Sequence, residues 1–160
     1  MFDQITLDRI GKLHPSIREK LKADYLEINK RLPKGIRLRF SEGLRTIAEQ
    51  NELYAKGRTK AGKIVTNATG GQSIHNYGLA FDIVILLDTE GNGTFKTASW
   101  KVDKYWMQVV EFFKSKGWTW GGDFKSLYDA PHFEYSKGKT WRDFKTMEQV
   151  NGYPKLPANF

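Results

Sequence analysis

The chain has 160 residues, the size of one ordinary domain, long enough to bury roughly 70% of the surface its unfolded form exposes. It has no cysteine, which excludes a disulfide framework, a thiolate metal site and a cysteine nucleophile together. Lys and Arg outnumber Asp and Glu by 26 to 18, a formal charge of +8; that excess favours anionic partners, yet no aromatics interleave with basic residues as in a nucleic-acid binder.

Read along the chain, Met1-Phe2-Asp3-Gln4 lacks the charged and apolar segments of an export signal. The longest apolar run, Ile83 to Leu87, is far too short to span a bilayer. A soluble monomer is expected, made in the cytoplasm without a signal peptide and without stable membrane insertion. Pro15 opens a predicted helix with Ile17, Leu21, Tyr25, Ile28 and Leu32 on one stripe. Pro33 and Gly35 stop it. Ile36-Arg37-Leu38-Arg39-Phe40 alternates apolar and basic residues like a half-buried strand. A second helix is predicted over Thr46 to Lys56, ending at Gly57. Residues 57 to 73, with Gly57, Gly62, Gly70 and Gly71, read as a long loop, a frequent home of function.

Ala80 to Leu87 reads as a buried strand and Asp88 to Gly93 as a turn. Val102, Trp106, Val109 and Phe113 give a third helix its apolar face, with Gly117 just past its end. Trp118 to Trp120 and His132 to Tyr135 read as short strands. Helices and strands are mixed without regular βαβ alternation, which predicts an α+β fold with a small, mostly antiparallel sheet flanked by helices. One domain is expected over residues 1–160, with 136–160 a C-terminal extension packed on it and too short to be a separate domain.

Two of the three histidines stand in suggestive places, in Ser73-Ile74-His75-Asn76-Tyr77-Gly78-Leu79-Ala80-Phe81-Asp82 and in Asp129-Ala130-Pro131-His132-Phe133-Glu134. A hydrolytic zinc needs three His or carboxylate ligands and an open fourth position. Its bound water, with a pKa lowered to about 7, becomes the nucleophile. A carboxylate must move the proton, and a donor must stabilise the developing oxyanion. Asp82 is a lone carboxylate among Ala80, Phe81, Ile83 and Val84, costly to bury unless paired or metal-bound. Asp129 sits in a turn enforced by Pro131, from which a carboxylate can face a metal without binding it. Each residue taken singly has an ordinary alternative: Asp82 paired to an arginine, Asp129 a simple turn aspartate. His14, before Pro15 at a helix start, is read as a surface or satisfied core histidine.

Taken together, these segments resemble the zinc D-Ala-D-Ala carboxypeptidase and dipeptidase superfamily. More closely, the chain is similar to its L-alanyl-D-glutamate endopeptidase branch of phage endolysins and bacterial cell-wall hydrolases. The resemblance covers roughly residues 5 to 135. It takes in Glu42-Gly43-Leu44-Arg45-Thr46, Gln50, Leu53-Tyr54, Gly57-Arg58-Thr59, both histidine segments and Trp118-Thr119-Trp120-Gly121-Gly122-Asp123, all in the family's order. Ala61 and Phe124 stand where the pattern commonly has Pro and Trp.

The resemblance implies a hedgehog-like fold and a zinc ion held by His75, Asp82 and His132. It implies Asp129 as general base, Arg45 as the group polarising the scissile carbonyl, and Ser73 as a substrate contact or support of the first ligand. The expected function is zinc-dependent cleavage of the L-Ala–D-Glu bond in peptidoglycan stems. A D-Ala-D-Ala carboxypeptidase and a non-catalytic wall-binding module are the alternatives. Peptidoglycan stem peptides and an anionic wall or outer-membrane surface are the expected partners, nucleic acid is not, and the enzyme is expected to reach the wall at phage lysis.

Overall fold

The computed structural model describes residues 2–160. Asp3 caps α1 (Gln4–Ile10), its carboxylate accepting from Thr6 N. A 3-10 turn at Pro15–Ile17 leads into α2 (Arg18–Arg31), which buries Leu21, Tyr25 and Ile28. β1 (Ile36–Glu42) follows, then α3 (Ile47–Ala55), opened by a capping box between Thr46 and Glu49. A second 3-10 turn, Ile74–Tyr77, precedes β2 (Ala80–Leu87) and the short β3 (Thr97–Ser99). α4 (Lys104–Ser115) buries Trp106, Val109, Val110, Phe112 and Phe113. β4 (Thr119–Trp120), a 3-10 turn at Gly121–Asp123 and β5 (His132–Glu134) come next. The chain ends in α5 (Trp141–Thr146) and the hairpin of β6 (Gln149–Val150) and β7 (Tyr153–Pro154).

The main sheet runs β1-β2-β5-β4, with β3 also on β2, and every pairing is antiparallel. The expected α+β class with a small antiparallel sheet is the observed one. Successive residues of a strand point to opposite faces, and β2 uses both faces. Phe81 stacks on Phe40 at 4.0 Å and on Phe133 at 5.3 Å between ring centroids, with Phe113 and Trp118 edge-on. Such ring pairs add about 0.5–1.5 kcal/mol each beyond area burial. Asp82, the next residue, therefore points to the opposite face. A register shift at Ser41 in β1, between Phe40 and Glu42, marks where that strand bends beside it.

Two expectations need adjustment. Val102 is exposed and lies outside the third helix, because the Asp103 carboxylate caps Tyr105 N and Trp106 N and starts the helix there. Trp118 precedes β4 and is buried against Phe81 instead of lying in a strand. The C-terminal residues lie against the body: Phe144 is fully buried near Tyr77, His14 Nε2 bonds to Pro154 O at 2.7 Å, and Tyr153 Oη donates to Lys12 O at 2.6 Å. His14 is thus a buried and satisfied histidine. Among the described residues no helix is long and apolar enough to cross a membrane.

Asp3 also ties α1 to the sheet. Its carboxylate accepts from Thr6 Oγ1 at 2.7 Å and from Arg39 Nε and Nη2 at 3.0 and 2.8 Å. Burial pushes its pKa up, but the Arg39 and Thr6 bonds outweigh that and leave it below the ordinary value. A carboxyl depressed in the folded state stabilises above its unfolded pKa of about 3.9, and that stabilisation is lost as pH falls through the folded value. Asp3→Ala is therefore expected to cost about 2–3 kcal/mol at pH 7. In urea titrations the gap from wild type should narrow below about pH 3.5. An equal gap at pH 7 and pH 2.5 would show that the loss is not the ionised pair.

Candidate metal centre

His75 is set by the turn that carries it. Ser73 Oγ accepts from His75 N at 3.3 Å, the Asn76 side chain reaches back to Ser73 N at 3.2 Å, and Gly78 closes the turn in the left-handed region at φ 72°. A Cβ on Gly78 would lie 2.7 Å from His14 N, so glycine is needed for approach as well as conformation. The His75 ring donates from Nδ1 to Gly43 O at 2.8 Å. That bond fixes the tautomer and leaves Nε2 as an acceptor facing Asp82 and His132.

Asp82 and His132 meet through the sheet. They are direct partners in the β2–β5 register, and directly opposed residues hold their Cβ atoms about 4.5–5.5 Å apart on one face. Asp82 Oδ1 lies 3.2 Å from His75 Nε2 and 3.2 Å from His132 Nδ1, and the two ring nitrogens are 3.2 Å apart. The outer nitrogen of His132, Nε2, bonds Glu134 Oε1 at 2.9 Å. Glu134 follows His132 by two, so the pleat puts both on one face.

The electrostatics follow from this crowding. Burial would lower the pKa of His132, but hydrogen bonds to Asp82 and Glu134 push it up to about 9. Burial would raise Asp82 and Glu134, but their histidine partners hold both below the usual carboxylate range. Two facing ring nitrogens beside a carboxylate oxygen call for a positive centre between them, which a proton supplies only in part. Two imidazoles and one carboxylate are an open zinc set. Bonds of about 2.0–2.2 Å at tetrahedral angles separate donors by about 3.3–3.6 Å, close to the 3.2 Å observed. The donors fit a divalent metal, and each outer ring nitrogen has the partner that orients such ligands. Asp82, read from sequence as paired or metal-bound, has the two histidines as partners and, among the described residues, no arginine.

Asp129 is half-buried beside this cluster. Burial raises its pKa, and it feels the charges of His132, Asp82, His75 and Arg45. Its backbone is locked by Asp129 N to Gly121 O at 3.0 Å and His132 N to Asp129 O at 3.1 Å. A Cβ on Gly121 would fall 2.3 Å from Asp129 O, so only glycine lets this turn close. Arg45 is mostly enclosed; its amide donates to His75 O at 3.1 Å and Nη1 donates to Gln50 Oε1 at 3.0 Å. Its Nε is buried without a partner. Phe124 lies 5.9 Å from the His132 ring. Arg58 acts as a clamp on its loop, donating to Tyr54 O, Thr66 O and Asn67 Oδ1. A cavity of about 780 Å³ lies elsewhere, between the start of α2 and the C-terminal hairpin.

Sequence reasoning read Gly43 only as easing the turn before Arg45 and gave no role to Gln50, Gly121 or Glu134. Glu134 had a usable signal in its two-residue offset from His132 on a strand. The others act through contacts across the fold that no local pattern carries.

A family model described as D-alanyl-D-alanine carboxypeptidase matches residues 66–135, a span that holds His75, Asp82, Asp129 and His132. The peptidoglycan L-alanyl-D-glutamate endopeptidase CwlK of Bacillus subtilis (strain 168) is 44% identical over 129 residues, covering 76% of this chain and 72% of that protein. The crystal structure of the Serratia marcescens L-Ala D-Glu endopeptidase ChiX superposes with a TM-score of 0.54 at 24% identity, covering 89% of this chain and 91% of the other.

Proposed function

Since this chain belongs to the D-alanyl-D-alanine carboxypeptidase family of metallopeptidases, together with peptidoglycan L-alanyl-D-glutamate endopeptidases, we propose that it is a zinc peptidase cutting the L-Ala–D-Glu bond of peptidoglycan stems. The observation that carries the reading is the triangle of His75 Nε2, Asp82 Oδ1 and His132 Nδ1, 3.2 Å on each side. The bond is taken from the relative that shares 44% identity.

On this reading His75, Asp82 and His132 would hold the metal, with Gly43 O and Glu134 orienting the two rings. Zinc held there would supply Lewis-acid chemistry, polarising the substrate carbonyl and bringing the pKa of water down to about 7. Asp129 takes the proton from the attacking water as its oxygen adds to the L-Ala carbonyl carbon. Arg45, whose Nη2 has only a 3.7 Å approach to Glu42, bonds the carbonyl oxygen as negative charge gathers on it. Asp129 then passes its proton to the D-Glu nitrogen, the C–N bond breaks, and a free carboxylate and a free amine leave. The raised pKa of Asp129 suits a group that must both take and give a proton. Ser73 supports the His75 turn on this account, and any contact with substrate comes from the same hydroxyl. A soluble muropeptide with a pentapeptide stem ending in D-Ala-D-Ala separates the two peptidase readings by mass spectrometry. Release of the stem from D-Glu onward supports the endopeptidase, and loss of D-Ala alone supports the carboxypeptidase.

The same proposal makes the protein a bacteriolytic endolysin, acting as a monomer once phage lysis brings it to the wall. Its +8 charge would draw it to anionic wall or outer-membrane surfaces, an attraction screened beyond about 8 Å at physiological salt. Clearing of permeabilised cells is expected to fall steeply between about 0.05 and 0.5 M salt, as screening removes steering. Cleavage of the soluble muropeptide should change less. Parallel decline of both would place the salt effect on the active site or on folding.

A further inference from the structure

Gln50, on α3, is a polar side chain with no solvent exposure. An enclosed amide is costly unless it is bonded, and this one is bonded at both ends. Its Nε2 donates to Ala68 O at 2.8 Å, in the glycine-rich loop that leads to His75. Its Oε1 accepts from Arg45 Nη1 at 3.0 Å and lies 3.5 Å from Asn76 Nδ2. Asn76 in turn donates to Arg45 O at 2.9 Å and accepts from Gly71 N and Ser73 N. Arg45 is therefore tied by its backbone to the turn that carries His75, and by its guanidinium to Gln50.

The rest of that guanidinium is uncommitted. Nε is buried with no partner, and Nη2 has only a 3.7 Å approach to Glu42. Buried donors left unpaired are rare and need a reason. A guanidinium is a planar fork, so holding Nη1 while the side-chain stem enters from the other side sets the whole plane. We propose that Gln50 is a positioning residue for Arg45, holding Nη1 so that Nη2 stays free for the carbonyl oxygen of the bond being cut. This rests on the reading of Arg45 as the group acting on that carbonyl.

Gln50→Met keeps the approximate shape and removes both the acceptor and the donor. It is expected to retain full zinc and a KM for the soluble muropeptide within about twofold, while kcat falls about tenfold or more, the scale of a misoriented catalytic group. Arg45→Lys should also lose turnover, because lysine lacks the fork. In the double variant, Gln50→Met should cost less than about threefold further, since neighbours acting through one group are not additive. Effects that multiply in full would make Gln50 a general structural residue and overturn the proposal. Loss of turnover in Arg45→Lys with normal kcat in Gln50→Met overturns positioning alone. Normal turnover in Arg45→Lys overturns the role of Arg45, and positioning with it. If Gln50→Met melts below the assay temperature, Gln50→Glu decides, because it keeps an oxygen acceptor for Nη1. Turnover within about tenfold of wild type supports the proposal on that orientation scale. A folded, zinc-loaded Gln50→Glu as slow as Arg45→Lys overturns it.

Discussion

Replacing His75 or His132 by alanine is expected to remove stoichiometric metal and peptidase activity together. Each histidine offers one nitrogen to the cluster, and its other nitrogen is already committed, His75 to Gly43 O and His132 to Glu134. Neither ring can turn to compensate for the other. Among the described residues this is the one group of three or more His, Asp and Glu side chains placed to hold a metal. Loss of Lewis-acid stabilisation worth several kcal/mol corresponds to a drop on the order of 10³-fold or more in turnover. A graded companion is Glu134→Gln, which keeps the triangle and weakens only the support of His132. It is expected to lower metal affinity by about 10–100-fold, the usual scale for such partners. Elemental analysis after dialysis reads both effects. Full zinc in His75→Ala and His132→Ala would remove these residues from the metal site.

Asp129→Ala should behave differently: metal retained, turnover reduced by about 10²–10⁴-fold, the range for general acid–base catalysis. The two variants separate ligand from base because the Asp129 carboxylate lies outside the triangle, while burial and the cluster's charges tune it. Its backbone carbonyl, which accepts from His132 N, is untouched by the substitution, so the turn and β5 should persist. Asp129→Asn tests the same point with nearly the same volume. Loss of zinc in either variant would make Asp129 a ligand, and near-normal turnover would deny it the proton.

Much of this was legible in the sequence, and the reasons are physical. α2 and β2 were visible because each carries a long apolar signal with one period, Leu21-Tyr25-Ile28 on the helix and Ile83 to Leu87 on the strand. α1 was not, because it is seven residues long and buries only Thr6 and Ile10. The β6–β7 hairpin had a local sign that went unused. Asn151-Gly152, at φ 53° and 86°, is the dipeptide that two-residue hairpin turns prefer.

The site was legible to a different depth. A carboxylate inside an apolar strand announced Asp82, and the histidine motifs announced His75 and His132. That Asp82 and His132 face each other follows from a strand pairing across fifty positions, which no local spacing encodes. The same limit hid Gln50. Its neighbours on α3 are exposed or half-exposed, and only the loop folded back over it makes it the most enclosed polar side chain near the site.

The most direct test is digestion of purified sacculi with the metal removed by a chelator and then restored as zinc, reading the new amino termini. The account predicts D-Glu amino termini that appear with the untreated enzyme, stop with the chelator and return with zinc. Release of D-Ala alone, or new termini formed equally well after metal removal, would contradict it.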